Sequence, residues 1–350
     1  MREAAIIGYV QGPQSRYAGA ANESELIMPV VSEVMHRAGI TMKEVDFTCS
    51  GSCDYLQGAA FAFVEGLSAV ATVPPIKESH VEMDAAWALY EALLKIWTGE
   101  AEVCLVYGFG KSSPGELRSV LSLQLDPYYQ VPLWPDSVST AALQARALLD
   151  GGTVSERDLA EVVVRSRANA LDNPRAQLKG RFTVDALLAE PTFVSPLRRH
   201  DCAPITDGAS AMLIASGTAA RRLCARPAWI RGIDHRMETG VFGARDLMHS
   251  ASTRLAAQRA GVAQGPVDLA ELHAPFSHQE IILRRALGLG DEVPVNLSGG
   301  ALAANAMMVA GLDRIGFVAE RIIDGKADRG VAHATSGHCL QQNLVAVLEA

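Results

Sequence analysis

Three short stretches of this 350-residue chain carry side chains able to move a proton or hold a developing charge. The first is Ser79-His80-Val81-Glu82-Met83-Asp84, where an imidazole and two carboxylates crowd the start of a run rich in Ala and Trp. A carboxyl in a dry pocket has a raised pKa and shuttles protons, so Glu82, with His80 and Asp84, reads as an acid/base set. The same cluster at a helix head also reads as plain complement to the helix dipole. The second stretch centres on His273, in Glu271-Leu272-His273-Ala274-Pro275-Phe276. In the third, Gly337-His338-Cys339-Leu340, His338 offers a general base. Cys339 there reads as a small buried hydrophobe, and Gly337 either lets a backbone N–H approach a ligand or sits in an ordinary turn. Tyr128 and Tyr129 offer phenols or packing surface. Cys49-Ser50-Gly51-Ser52-Cys53 is not a C-x-x-C pair and no second Cys/His pair follows at zinc spacing, so no metal site is expected.

The elements that must position these residues alternate between strand and helix. Strands are expected at Ala4–Gly8, Val45–Cys49 and Glu102–Gly108, with helices at Glu23–Ala38, Gln57–Leu67 and Glu82–Thr98. Asn22 and Glu25 form a capping pair for the first helix and Gly39 stops it. From Lys111 to Arg199 no buried strand is evident; prolines and two amphipathic helices, near Ser139–Leu149 and Ser155–Leu171, mark a helical insertion. The strand Ala209–Ala215 restores the alternation. After Pro227 come strands at Trp229–Asp234, Val267–Leu272, Gly330–Thr335 and Asn343–Leu348, and helices at His249–Ala260, Ile281–Leu287 and Leu302–Ile323. Similar strand–helix order appears twice, so we read two duplicated halves, 1–216 (insertion about 112–200) and 217–350, in an α/β fold.

Composition narrows the function. With 31 Lys+Arg against 39 Asp+Glu, the net charge of −8 argues against nucleic acid as a partner. No apolar run reaches bilayer length, so no membrane span is expected. The first residues are strand-like and lack the apolar core of a signal peptide, and six cysteines in such a length form no disulfide framework; a reducing, cytoplasmic setting is expected.

Four segments give the chain a resemblance to the thiolase superfamily, specifically to sterol-carrier-protein-type thiolases and bacterial lipid-transfer thiolase-like proteins. They are Asp201-Cys202-Ala203-Pro204-Ile205-Thr206-Asp207-Gly208-Ala209-Ser210-Ala211, the His273 turn (similar to H-D-x-F or H-E-x-F), Asn296-Leu297-Ser298-Gly299-Gly300-Ala301 (similar to N-x-S-G-G), and Gly337-His338-Cys339-Leu340-Gln341-Gln342-Asn343. Ala170-Leu171-Asp172-Asn173-Pro174 resembles the family's loop domain, and the likeness runs essentially end to end. It implies a five-layered α-β-α-β-α thiolase-like fold from two halves with a helical loop-domain insertion. It also implies a homodimer and an acyl-CoA substrate, coenzyme A entering as part of that substrate with no covalently bound cofactor.

The resemblance also exposes departures. The family's nucleophilic cysteine heads a buried helix; aligning on Ala88-Leu89 puts Glu82 there, and no cysteine lies between Cys53 and Cys104. The G-H-P histidine position falls on Asn305, an amide that cannot take a proton at neutral pH. His273 is kept, at a turn that helps hold the thioester oxygen in relatives, but its companion acid is replaced by Ala274. Cys339 matches a segment that often holds a second, acid/base cysteine, so the resemblance sets that role beside the buried-hydrophobe one, and Cys202 reads as structural. Gly300, Gly337, Asn305, Tyr128 and Arg181 are the expected substrate contacts. Arg175, Lys179, Arg181, Arg198 and Arg199 either meet the CoA phosphates or form a solvated basic face. Thiolysis requires a thiolate, so these departures imply C–C cleavage of retro-aldol type in lipid or steroid catabolism. Two alternatives stay open: a non-catalytic acyl-CoA-binding or scaffold subunit, and an acetyl-CoA acyltransferase using another cysteine. A small OB-fold partner with a zinc ribbon is implied by the lipid-transfer relatives.

Overall fold

A computed structural model describes residues 2–58 and 60–350. In chain order the elements are β1 (Ala4–Gln11), α1 (Glu23–Ala38), β2 (Phe47–Gly51), α2 (Asp54–Gln57), α3 (Ala62–Leu67), β3 (Lys77–Val81), α4 (Ala85–Thr98) and β4 (Val103–Gly110). The insertion holds α5 (Leu117–Leu123), α6 (Ser137–Asp150), α7 (Glu156–Asn169), α8 (Val184–Leu188), β5 (Thr192–Val194) and β6 (Leu197–Arg198). Then follow β7 (Gly208–Ser216), α9 (Gly217–Leu223), β8 (Ala228–Met237), α10 (Ala251–Ala260), β9 (Leu269–Leu272), α11 (Ser277–Leu287), α12 (Gly300–Ala303), α13 (Ala310–Ile323), β10 (Arg329–Ser336) and β11 (Gln342–Glu349).

One pairing pattern occurs twice. β2 runs parallel to β4, β4 antiparallel to β7, and β7 antiparallel to β1. β9 likewise runs parallel to β10, β10 antiparallel to β11, and β11 antiparallel to β8. The halves join through Ala5↔Trp229 and Ile6↔Ala228, which makes the order β3-β2-β4-β7-β1-β8-β11-β10-β9. Helices α1, α3 and α9 pack outside the first half around Ile27, Val31 and Leu213. Helices α4 and α13 lie between the halves around Leu89, Leu312 and Leu344, and α10 and α11 cover the second half around Ala256, Leu283 and Val345. The result is five layers, α-β-α-β-α. β4 and β7 are buried along their whole length, which is why they read as unbroken apolar runs rather than alternating ones.

Local signals placed several elements. Asn22 and Glu25 form a reciprocal capping box on α1 and Gly39 closes it in the left-handed region; Ser155 and Asp158 form the same box at the start of α7. Three expectations need correction. The helix expected from Glu82 starts at Ala85, because Lys77–Val81 pairs with β2 as an edge strand. The long helix expected over Leu302–Ile323 is broken: α12 ends at Ala303, Thr206 bridges Ala306, and Met308 turns the chain at φ 77°. The insertion contains a small β5–β6 hairpin where no strand is expected. The helix expected over 57–67 spans Ala59, which lies outside the described residues; α2 and α3 flank it.

Candidate active site

A cavity of about 750 Å³ opens where the heads of the two central helices meet the insertion. Its wall includes Asp84 before α4, the turn His273–Phe276 after β9, Asn305 and Met308 between α12 and α13, and Gly337–Leu340 after β10. The insertion closes it with apolar side chains such as Leu121, Leu178, Phe182 and Phe193.

His273 is held from behind. Its backbone N–H donates to His333 O (3.1 Å), and the Thr335 N–H donates to its Nδ1 (3.4 Å), so Nε2 carries the proton and donates to Asn305 Oδ1 (3.1 Å). Burial, with Arg314 and His333 nearby, pushes His273 down to about 3, so the ring is neutral. Asn305 is placed by its own N–H bond to Thr206 Oγ1 (3.1 Å). With Oδ1 occupied by His273, its Nδ2 has no partner among the described residues, although the residue is buried. The pair therefore offers an oriented, uncharged N–H donor to the cavity.

The Asn296–Gly300 segment lies behind this pair and outside the cavity wall. Asn296 Oδ1 accepts from Leu272 N (2.7 Å), and Glu271 accepts from Ser298 N (2.9 Å) and Oγ (2.6 Å) while Arg314 lies 3.2 Å away. Burial raises the Glu271 carboxyl, and Arg314 counters it. Gly300, expected as a substrate contact, begins α12 at φ +63°, where a Cβ would lie 2.8 Å from Asn296 Cγ, and it is not part of the cavity wall.

The two acids near α4 have different fates. Glu82, expected in a dry pocket, is exposed and outside the cavity wall; its Oε1 accepts from Asp54 N (2.8 Å) and its Oε2 lies 3.2 Å from His80 Nε2. Asp84 is 2% exposed and lines the cavity. Its Oδ1 accepts from Ala86 N (2.9 Å) and Leu312 N (3.1 Å), and its Oδ2 from Gly311 N (2.8 Å). Burial pushes it up to about 6 against the pull of those three N–H groups.

His338 and Cys339 also line the cavity but are tied to the scaffold. His338 Nε2 donates to Leu121 O (2.7 Å) and its Nδ1 lies 3.0 Å from Thr140 Oγ1; burial lowers its pKa. Cys339 Sγ donates to Thr140 O (3.4 Å), and burial lifts the thiol to about 11. Gly337 lies in the wall at φ +73°. Tyr128 is 81% exposed, and neither it nor Arg181 is in the wall, so both expected contacts are corrected. Of the basic residues expected near the insertion, Lys179 and Arg199 line the cavity, while Arg198 is bound to Glu156 (2.8 Å). Among the described residues no group of three or more His, Cys, Asp or Glu is arranged to hold a metal ion, and no helix is long and apolar enough to cross a membrane.

No family model matches the chain. It is 25% identical over 336 residues to the acetyl-CoA acetyltransferase of Methanothermobacter thermautotrophicus, spanning 87% of this chain and 86% of that one. It is also 25% identical over 341 residues to the 17-hydroxy-3-oxo-4-pregnene-20-carboxyl-CoA lyase of Mycobacterium tuberculosis, spanning 86% of each. Its fold matches the solved Ltp2-ChsH2(DUF35) aldolase with a TM-score of 0.81 at 20% identity, over 99% of this chain and 98% of that one. In sequence and in fold the chain is thiolase-like.

This thiolase-like chain presents no thiol at the head of α4, and its two cavity thiols are protonated at neutral pH. Cys339 is one; burial lifts the other, Cys202, to about 12, with its Sγ donating to Arg198 O (3.7 Å). Arg16 and Arg118, which no sequence motif singled out, line the cavity together with Lys179 and Arg199. His200 is a further unforeseen residue of the same wall, with its Nδ1 3.0 Å from Glu190 Oε2. No local pattern marks these residues; Arg16 follows β1 and Arg118 starts a short helix of the insertion.

Proposed function

We propose that this thiolase-like chain cleaves the Cα–Cβ bond of a β-hydroxyacyl-CoA in lipid or steroid catabolism. The step is a retro-aldol one, yielding an aldehyde or ketone and the shortened acyl-CoA with no acyl-cysteine intermediate. The observation that carries this reading is the His273–Asn305 pair: a fixed N–H donor, Asn305 Nδ2, faces a cavity where no ionised thiol is available. A donor placed before reaction stabilises the oxygen of a thioester enolate without reorganisation cost. Arg16, Arg118, Lys179 and Arg199 supply positive charge for the CoA phosphates. The apolar lining from the insertion suits a bulky acyl group. The lyase and aldolase likenesses support the same reaction class.

Two assembly expectations belong to this reading. β3 is a half-exposed sheet edge that pairs on one side only, with β2, which favours a second copy of the chain adding a strand there. The similar aldolase joins two components, Ltp2 and ChsH2(DUF35), which favours a partner here too; the lipid-transfer resemblance makes that partner a small OB-fold protein with a zinc ribbon.

The test is turnover of a β-hydroxyacyl-CoA, alone and with such a partner, followed by mass spectrometry of carbonyl product and acyl-CoA. Asn305→Ala lowers kcat by about 10²–10³-fold, with thioester binding retained, and acid-quenched protein carries no acyl adduct. An acyl-cysteine adduct overturns the reading in favour of an acyltransferase. Binding without cleavage under every condition leaves a non-catalytic acyl-CoA-binding subunit.

A further inference from the structure

The retro-aldol step needs a group that takes the β-hydroxyl proton. We infer that Asp84, through the one acceptor position left open on its carboxylate, is that group; the inference rests on the reading above. A carboxylate has about four acceptor positions. Asp84 fills three of them with backbone N–H groups, Ala86 and Leu312 on Oδ1 and Gly311 on Oδ2. Those bonds fix the carboxylate against the heads of two helices and leave one acceptor position of Oδ2 unfilled, on a residue that lines the cavity. The same loop brings in the enolate donor: Ala85 N donates to Met308 O (2.7 Å), and Asn305 lies three residues before Met308. The cavity thus carries two buried groups of complementary use, an acceptor on Asp84 and the unpartnered N–H of Asn305.

The proton, electron pair and bonds balance within the site. The β O–H bond breaks and its proton passes to Asp84, the C–O bond becomes a carbonyl, and the Cα–Cβ electron pair enters the thioester as an enolate whose oxygen faces Asn305 Nδ2. The carboxyl then returns the proton to Cα, so the enzyme ends as it began.

Few charged groups face Asp84. Asp313, on α13, is bound by Tyr9, Gln11, Gln14 and Ser210, and Arg314 next to it pairs with Glu271. Glu82 and His80, on the β3 side, pair with each other. His273 is neutral.

The experiment measures exchange of the α-protons of propanoyl-CoA with D2O by NMR, alongside cleavage of a β-hydroxyacyl-CoA. The substitution Asp84→Asn keeps an oxygen for Ala86 and Leu312 but cannot take a proton. The expected result is exchange in the wild-type protein and at least a 100-fold loss in Asp84→Asn, with propanoyl-CoA binding within threefold and partial recovery in Asp84→Glu. Wild-type exchange should fall about tenfold per pH unit below about 6, since only the carboxylate is a base. Undiminished exchange in Asp84→Asn, absence of exchange in the wild type, or a flat profile from pH 5 to 8 overturns the inference. If Asp84→Asn does not fold, the wild-type profile decides alone. Cleavage that persists in Asp84→Asn overturns Asp84 and leaves the retro-aldol reading standing. Wild-type exchange lost in Asp84→Asn, with no cleavage in either, supports Asp84 and overturns the retro-aldol reading instead.

Discussion

The heads of α4 and α13 sit at matching places in the two halves, each leading into the strand that runs parallel to its neighbour, yet they are built differently. α4 has its own cap, Asp84, accepting from Ala86 N. The cap position of α13, Val309, supplies no side-chain acceptor, and the orphan N–H groups of Gly311 and Leu312 are satisfied by Asp84 from the other half. One carboxylate therefore serves two helix ends. The chemistry divides in the same way. The first half contributes the acid, and the second contributes the imidazole and amide, His273 and Asn305. The two halves thus line one cavity with unlike groups.

The substitution that most directly breaks this arrangement is Asp84→Ala, which strips an acceptor from both helix heads. A lost cap and buried unpaired N–H groups together cost about 3–5 kcal/mol. Urea unfolding should register it, and a loss below about 1 kcal/mol would mean the two heads are stabilised independently. Gly311→Ala sharpens the comparison from the α13 side. Its Cβ would stand 2.5 Å from Ala334 Cβ and 2.7 Å from Asp84 Oδ1, so α13 must shift away from the shared carboxylate. Overpacking of this kind costs about 1–3 kcal/mol, and the cleavage rate should fall with it; a variant as stable as wild type would show slack at the seam. The smallest effect belongs to Glu82→Gln. An exposed carboxylate bonded to one backbone N–H and paired with His80 should change stability by no more than about 0.5 kcal/mol and leave the rate unaltered. A rate loss beyond tenfold would put Glu82 back in the site.

The fate of these two acids shows where reading the chain succeeds and where it stops. Asn22, Glu25 and Gly39 specify α1 through bonds within their own segment, and their meaning survives in the folded protein. Lys77–Val81 carries no comparable mark. As an edge strand it has no buried residue, Lys77 and Glu78 being exposed and Ser79–Val81 half-buried, so it reads as an approach to a helix and displaces the helix head by three residues. That shift moves the buried carboxylate from Glu82 to Asp84. The break between α12 and α13 is equally silent, because Ala304–Val309 is pulled out of helix by Thr206 and Ala85, partners about 100 and 220 residues away along the chain. The Arg16 and Arg118 cavity contacts likewise depend on loops meeting in space.

Residue order alone determined the α/β alternation, the duplication, the helical excursion, and the absence of a cysteine between Cys53 and Cys104, because periodicity, caps and residue identity are local properties. Only the tertiary structure decided which carboxylate is dry, which histidine keeps an oriented N–H partner, and which basic groups face the opening. Desolvation and hydrogen-bond direction arise from atoms brought together by folding, and no window along the chain contains them.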